Sequence, residues 1–206
     1  NNHLNSYQLL MVACKIKQEL DFVNSNYYLQ YYVRDLQYYV NTYTTLKNNL
    51  PSSVTALLWD SYVLIESRKH SGYTLYGSAR GNIYTYPYNY EGGSNQKWIV
   101  YLSDHGRYFR LNNKQNELFL YATGDGSAYG DYSSSIKDYS DQWQITPIEN
   151  GDYFYFENRA NYRILDANDI FCSSVFSCSS SRLCCCTTVH AYSSYKRTNY
   201  QQWKIL

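Results

Sequence analysis

Three of the chain's four tryptophans close similar short motifs, and this recurrence constrains the fold more than any other feature. The motifs are Asn95-Gln96-Lys97-Trp98-Ile99-Val100, Asp141-Gln142-Trp143-Gln144-Ile145 and Gln201-Gln202-Trp203-Lys204-Ile205. Upstream stand Ile83-Tyr84-Thr85, Ala128-Tyr129-Gly130 and Ala191-Tyr192-Ser193, with the tyrosine 14, 14 and 11 residues before its Trp. Each unit opens on alternating bulky residues: Tyr62–Ser67, Arg107–Asn112 and Asp152–Asn158. A second strand follows a polar turn in each, at Tyr73–Tyr76, Leu118–Tyr121 and Tyr162–Leu165.

One such unit has an apolar face and nothing to cover it, so only a closed set of three completes a core and removes the sheet edges. The spacing predicts a β-trefoil of three repeats, at about 61–104, 105–150 and 151–206. Trp98, Trp143 and Trp203 are expected in or just under the core, each indole N–H needing an acceptor. The neighbouring Gln96, Gln142 and Gln202 are read as architectural, holding nearby backbone. Gly124-Asp125-Gly126 and Asp104-His105-Gly106 read as turns. The third repeat carries a Ser/Cys-rich insert at 167–189, read as a surface loop.

Before residue 61 the apolar period changes from 2 to 3.6. Leu9, Val12 or Ala13, Ile16, Leu20 and Val23 share one helical face after Asn5 or Ser6 as N-cap. Leu29, Val33, Leu36, Val40 and Tyr43 make a second face, and Pro51 can start a third, shorter helix presenting Val54, Leu57 and Leu58. The class is therefore α+β, a short all-α N-terminal segment (1–60) followed by the trefoil (61–206). Tyr28, Tyr32 and Tyr39, on a helix lined with tyrosine pairs, are a candidate groove for an apolar ligand.

Composition excludes several functions. Net charge is +1 and no basic run interleaves with aromatics, so nucleic acid is not an expected partner. No apolar run reaches the ~20 residues needed to span a bilayer. The four histidines have no nucleophile, carboxylate or metal spacing beside them in sequence, and no Gly-rich phosphate loop is present, so neither enzyme nor cofactor is expected. The chain opens on Asn, not Met, and shows no signal peptide, which reads as a processed mature chain or a trimmed one, and either fits the expected secretion. Six cysteines, Cys14, Cys172, Cys178, Cys184, Cys185 and Cys186, are disulfide candidates in that setting, and their spacing lacks the paired C-x-x-C units of a zinc site.

The run Tyr108-Phe109-Arg110-Leu111-Asn112-Asn113, Leu118-Phe119-Leu120, Ala128-Tyr129-Gly130 and Gln142-Trp143-Gln144-Ile145-Thr146-Pro147, continuing through Phe156-Glu157-Asn158-Arg159 to Asn161-Tyr162-Arg163-Ile164-Leu165, resembles the 30K haemolymph and egg lipoproteins of moths, the group that includes microvitellogenin. That resemblance implies an extracellular storage or carrier protein, with lipid or another small apolar molecule as ligand and no catalytic residues. Two alternatives stand beside it. Trefoils with Gln/Trp repeats include the ricin-type sugar binders, whose sites combine a carboxylate, a stacking aromatic and an amide. The best such set is Asp166, Tyr192, Asn199 and Gln202, and Asp125, Tyr129 and Gln142 form a poorer one. The second alternative is a structural matrix protein, prompted by 27 tyrosines against seven phenylalanines.

Overall fold

The indole N–H groups of three buried tryptophans find the same kind of acceptor. Trp98 Nε1 donates to the Leu75 carbonyl at 3.0 Å, Trp143 to Leu120 at 2.9 Å and Trp203 to Leu165 at 3.0 Å. The acceptor leucines lie 45 residues apart, so these contacts set a common frame for the whole sheet. The structure is a computed structural model and describes residues 6–26, 36–50, 52, 56–58, 62–88, 93–103, 107–132, 138–173, 184–193 and 198–206.

The strands are β1 Tyr62–Val63, β2 Ile65–Ser67, β3 Tyr73–Gly77, β4 Ile83–Pro87, β5 Trp98–Leu102, β6 Phe109–Asn113, β7 Phe119–Ala122, β8 Ala128–Asp131, β9 Trp143–Ile148, β10 Tyr153–Asn158, β11 Arg163–Ala167, β12 Phe171–Ser173, β13 Cys184–Ser193 and β14 Trp203–Ile205. The β1–β2 segment pairs with β5, β5 with β6, β6 with β9, β9 with β10, β10 with β14, and β14 returns to β2, all antiparallel. The ring closes on itself and removes its own edges. Three hairpins, β3–β4, β7–β8 and β11–β13, extend from it. The result is a β-trefoil-like, sheet-rich fold behind a short helical segment.

Register places equivalent residues in layers. Val63, Phe109 and Phe154 pair with Trp98, Trp143 and Trp203. Ile65, Leu111 and Phe156 form a second buried layer, and Val100, Ile145 and Ile205 a third. On the other side of each Trp stands a small polar residue, Asn113, Asn158 or Ser67. Asn113 and Asn158 donate to the carbonyls of Asn95 and Ser140, 18 residues earlier in each case.

The seams between the sets repeat as well. Asn116 Nδ2 donates to the carbonyls of Gly77 and Ser78, and Asn161 Nδ2 to those of Ala122 and Thr123. At the ring-closing seam the part is taken by His70, whose Nε2 bonds the Asn168 carbonyl at 2.8 Å. On the outside, a cation of one set covers the tyrosine that opens the preceding set: Lys114 over Tyr62 at 4.4 Å, Arg159 over Tyr108 at 4.6 Å and Arg68 over Tyr153 at 4.2 Å. Such contacts at half-exposed sites contribute about 0.5–1 kcal/mol each.

Two expectations shift. In the third set, the position of Tyr84 and Tyr129 is held by His190. Leu75 pairs with Thr85, Leu120 with Gly130 and Leu165 with Ala191, so Val189-His190-Ala191, 13 residues before Trp203, corresponds to the earlier motifs. Tyr192 therefore corresponds to Tyr86 and Asp131. The insert 167–189 is also not wholly loop. The hairpin continues through it as a ribbon, Phe171–Ser173 pairing with Cys184–Cys186, because an antiparallel ladder carries its backbone hydrogen bonds further than a loop can. Cys178 and the Asp104-His105-Gly106 turn lie outside the described residues. The other predicted turn closes as expected, with Gly126 N–H on the Thr123 carbonyl. Gly126 has φ +96°, and a Cβ there would meet the Ala191 carbonyl at 2.8 Å, so only glycine lets the third hairpin approach.

The N-terminal segment forms α1 Ser6–Ser25 and α2 Leu36–Asn48, then a 3-10 turn at Ala56–Leu58. α1 packs against α2, the 3-10 turn and β9. Ala13, Cys14, Leu50 and Leu57 join the same apolar cluster as the barrel residues, so segment and trefoil share one core. Cys14 is a free, fully buried thiol, which removes it from the disulfide candidates. Its position on the packed face of α1 makes it a small apolar filler. Of Cys172, Cys184, Cys185 and Cys186 the structure describes the strand backbone.

Replacing Trp143 by Phe leaves the Leu120 carbonyl without its donor and opens a void, and the variant is expected to lose about 2–4 kcal/mol, read as a lower urea midpoint at unchanged slope. Burial pushes the Cys14 thiol up to about 12, against a smaller opposing effect of Lys17. Alkylation at about pH 8, followed by peptide mass spectrometry, should therefore label Cys14 only in denaturant.

Candidate functional site

Side chains alternate along a strand, so the three hairpins each present four residues on the face opposite Leu75, Leu120 and Leu165. These sets are Thr74, Tyr76, Tyr84 and Tyr86; Phe119, Tyr121, Tyr129 and Asp131; and Ile164, Asp166, His190 and Tyr192. One backbone frame thus carries three different chemistries.

The first face is packed closed. Tyr76 and Tyr86 lie 4.8 Å apart between ring centroids, and Tyr84 stands edge-on to Tyr86 at 6.2 Å. Gln96 Nε2 donates to Thr74 Oγ1 at 2.7 Å and to the carbonyls of Tyr86 and Pro87. Its Oε1 is buried without a partner among the described residues.

On the second face Tyr121 and Tyr129 are 6.0 Å apart, and the Arg110 guanidinium lies 4.5 Å over the Phe119 ring. Burial, followed by the nearby Asp131, raises the Tyr121 phenol above its ordinary value, so it stays a hydroxyl donor at neutral pH.

The third face joins a carboxylate to an open ring. Asp166 pairs across the hairpin with His190, and Tyr192 is one same-face step further along, opposite Ile164. The His190 and Tyr192 rings are 5.9 Å apart, and Tyr192 is 47% exposed. The Asp166 carboxylate has no hydrogen bond or ion pair among the described residues, although Asp166 is 8% exposed. Burial, with Asp169 adding to it, pushes that carboxyl up to about 6. Asp169 accepts from Tyr200 Oη at 2.8 Å.

Of the four residues predicted from sequence, the structure brings Asp166 and Tyr192 together on one face. Asn199 opens the 3-10 turn before β14 and is exposed. Gln202 has other partners: its Nε2 donates to Tyr155 Oη at 2.7 Å and its Oε1 accepts from Arg68. The buried polar residue that recurs stands two places before the Trp, as Gln96, Asp141 and Gln201. Counting two back from Trp98 in all three motifs would have found this set; matching on glutamine identity missed it. Asp125 sits in the β7–β8 turn, accepting from Thr123 Oγ1 and the Ser127 N–H, whereas Gln142 Oε1 accepts from Arg159. Tyr28 and Tyr32 lie outside the described residues, and Tyr39 lies within α2. Among the described residues no group of three or more His, Cys, Asp or Glu is placed to hold a metal, and no helix is long and apolar enough to cross a membrane.

Residues 94–170 match the family described as ricin-type beta-trefoil lectin domain-like. Over that stretch, less than half of its length, the chain is similar to the ricin-type β-trefoil lectin-like domains. No curated protein sequence matches the chain. Among solved structures, the Haemophilus ducreyi cytolethal distending toxin is similar at 18% identity and TM-score 0.54, covering 76% of this chain and 86% of that one. SeviL, bound to asialo-GM1 saccharide, is similar at 15% identity and TM-score 0.52, covering 72% and 98%. A Polyporus squamosus lectin bound to an influenza-binding epitope is similar at 10% identity and TM-score 0.52, covering 71% and 48%. At these identities the likeness is one of fold.

Because the folded carboxyl titrates higher than an unfolded aspartate, the native state holds the extra proton between about pH 4 and 6, and Asp166 costs stability as pH rises through that window. Asp166→Asn is therefore expected to raise stability at neutral pH by about 1–2 kcal/mol, after discounting for partial solvent access, and to flatten the acid side of the stability curve. Urea melts at several pH values check this.

Proposed function

We propose that the protein is a non-enzymatic glycan-binding protein, with its principal site on the third hairpin face. The observation that carries this reading is the pairing of an exposed tyrosine ring with a carboxylate that has no partner among the described residues, on a lectin-like trefoil. Leaving a half-desolvated carboxylate unpaired costs free energy, and such a cost is retained where a ligand supplies the donors. A pyranose does so, because its vicinal hydroxyls can both donate to Asp166 while its C–H face rests on Tyr192. Asn199, on the 3-10 turn that packs against β11, is the amide nominated for this site from sequence. The match to the lectin family favours this reading over a storage and carrier role, and no described residue adds support to the expected tyrosine groove. Glycan reading goes with an extracellular setting and with the absence of catalysis.

Application of the protein to a glycan array should give a defined set of hits. Asp166→Ala and Tyr192→Ala are each expected to weaken the best hit at least about tenfold without unfolding the protein. Binding should also fade as pH falls through about 6, since a protonated Asp166 loses its charge-assisted acceptor role. A silent array, or hits that both variants retain, removes the reading.

A further inference from the structure

A cavity lies apart from the third hairpin face, in the second set. It has a volume of about 300 Å³ and is lined by Tyr101, Leu102, Ser103, Arg110, Phe119 and Gln142. Its counterpart in the third set is plugged, and the plug identifies what fits.

Tyr155 occupies in β10 the place that Arg110 occupies in β6, since Phe109 and Phe154 face Trp143 and Trp203 in the same way. Gln142 and Gln202 likewise hold the same place, one residue before their tryptophans. Both amides are oriented by an arginine of the following set: Arg159 Nη1 donates to Gln142 Oε1 at 2.6 Å, and Arg68 to Gln202 Oε1. That contact turns each Nε2 the other way. In the third set, Gln202 Nε2 meets the Tyr155 hydroxyl at 2.7 Å, and Tyr155 is buried. In the second set the side chain in that place turns to a different partner: Arg110 donates from Nε and Nη2 to the buried Asp141, and its guanidinium lies 4.5 Å over the Phe119 ring. The space a phenol fills in the third set is left as a cavity, and Gln142 Nε2 has no partner among the described residues.

We propose that this cavity is a binding site for a phenolic ring, the hydroxyl accepting from Gln142 Nε2 and the ring lodging against Tyr101 and Phe119. Those two rings, a tilted pair 6.2 Å apart at 45°, both line the cavity, and Leu102 supplies an aliphatic wall. Arg110 adds a flat cationic surface of the kind that packs on aromatic faces. Because Arg110 is already neutralised by Asp141, the site favours an uncharged phenol over a carboxylate or sulfate. A free small phenol and a tyrosine side chain of a peptide offer the same chemistry.

The test uses the full chain and titration calorimetry with N-acetyl-L-tyrosinamide, p-cresol and N-acetyl-L-phenylalaninamide. The two phenols are expected to bind with Kd on the order of millimolar, and the phenylalanine analogue about tenfold more weakly for want of the hydroxyl. A stronger response to the tyrosine amide than to p-cresol points to a peptide as the source, and equal responses point to a free phenol; both support the site. Gln142→Glu keeps the acceptor for Arg159 and removes the donor, and should cut phenol binding about tenfold. Arg110→Tyr with Asp141→Gln reproduces the Tyr155 and Gln201 pair of the third set, and should abolish binding by filling the cavity from within. Equal binding of phenol and phenylalanine analogues, no binding of either phenol, or binding that survives the double substitution overturns the proposal.

Discussion

Everything in this fold hangs on where three indole N–H groups can find an acceptor. A tryptophan buried with its nitrogen unsatisfied would forfeit much of what its ring contributes. The Leu75, Leu120 and Leu165 carbonyls answer that need from the start of each hairpin, 23, 23 and 38 residues upstream. Because the acceptor is backbone, the bond fixes the depth of the hairpin relative to the barrel whatever side chains it carries. The unequal third spacing shows how the constraint operates. The hairpin gains length through its ribbon beyond Ala167, where β12 pairs with β13, while the distance from Leu165 carbonyl to Trp203 indole stays at 3.0 Å.

Closure is the second constraint, and each seam uses a polar clasp inside and a cation over tyrosine outside. Asparagine serves at two seams because one amide reaches two consecutive carbonyls. His70 serves at the closing seam with a single bond, and is backed there by the Tyr73 and Tyr200 rings at 6.3 and 6.0 Å. The cations reach across from the turn after each opening strand, so no set holds its own first tyrosine. Dependence of every set on the next is what makes one unit alone an unstable object.

The barrel was legible because burial leaves a period, and the tryptophan motifs mark it without any knowledge of pairing. The hairpin faces were only half legible. Asp166 and Tyr192 could be nominated from residue chemistry, but their neighbour His190 could not, since its place depends on a cross-strand register set on the far side of a long insert. Matching by tyrosine identity put Tyr192 in the place that His190 holds. The same habit picked Gln142 and Gln202 beside the tryptophans, where the buried recurrent position one step earlier is Gln96, Asp141 and Gln201. An aspartate standing in a glutamine's place hides the period from a reader of letters, yet the pocket conserves its polarity, with Arg110 supplying what the acid needs.

That exchange at Asp141 bears on how such a frame acquires function. Once an acid holds the buried position of the second set, the residue in the place of Tyr155 must bring a positive charge, and Arg110 can do so only by leaving the seam that a tyrosine would fill. The cavity beneath Phe119 is then a consequence of charge pairing, not of loose packing. The third set made the opposite choice. Its seam is plugged by Tyr155, and Asp166, a carboxylate without a partner among the described residues, lies on the hairpin face opposite Leu165. A scaffold whose depth is fixed by backbone bonds lets each set place its polar expense in a different spot, so sites can differ among the three while the barrel remains the same.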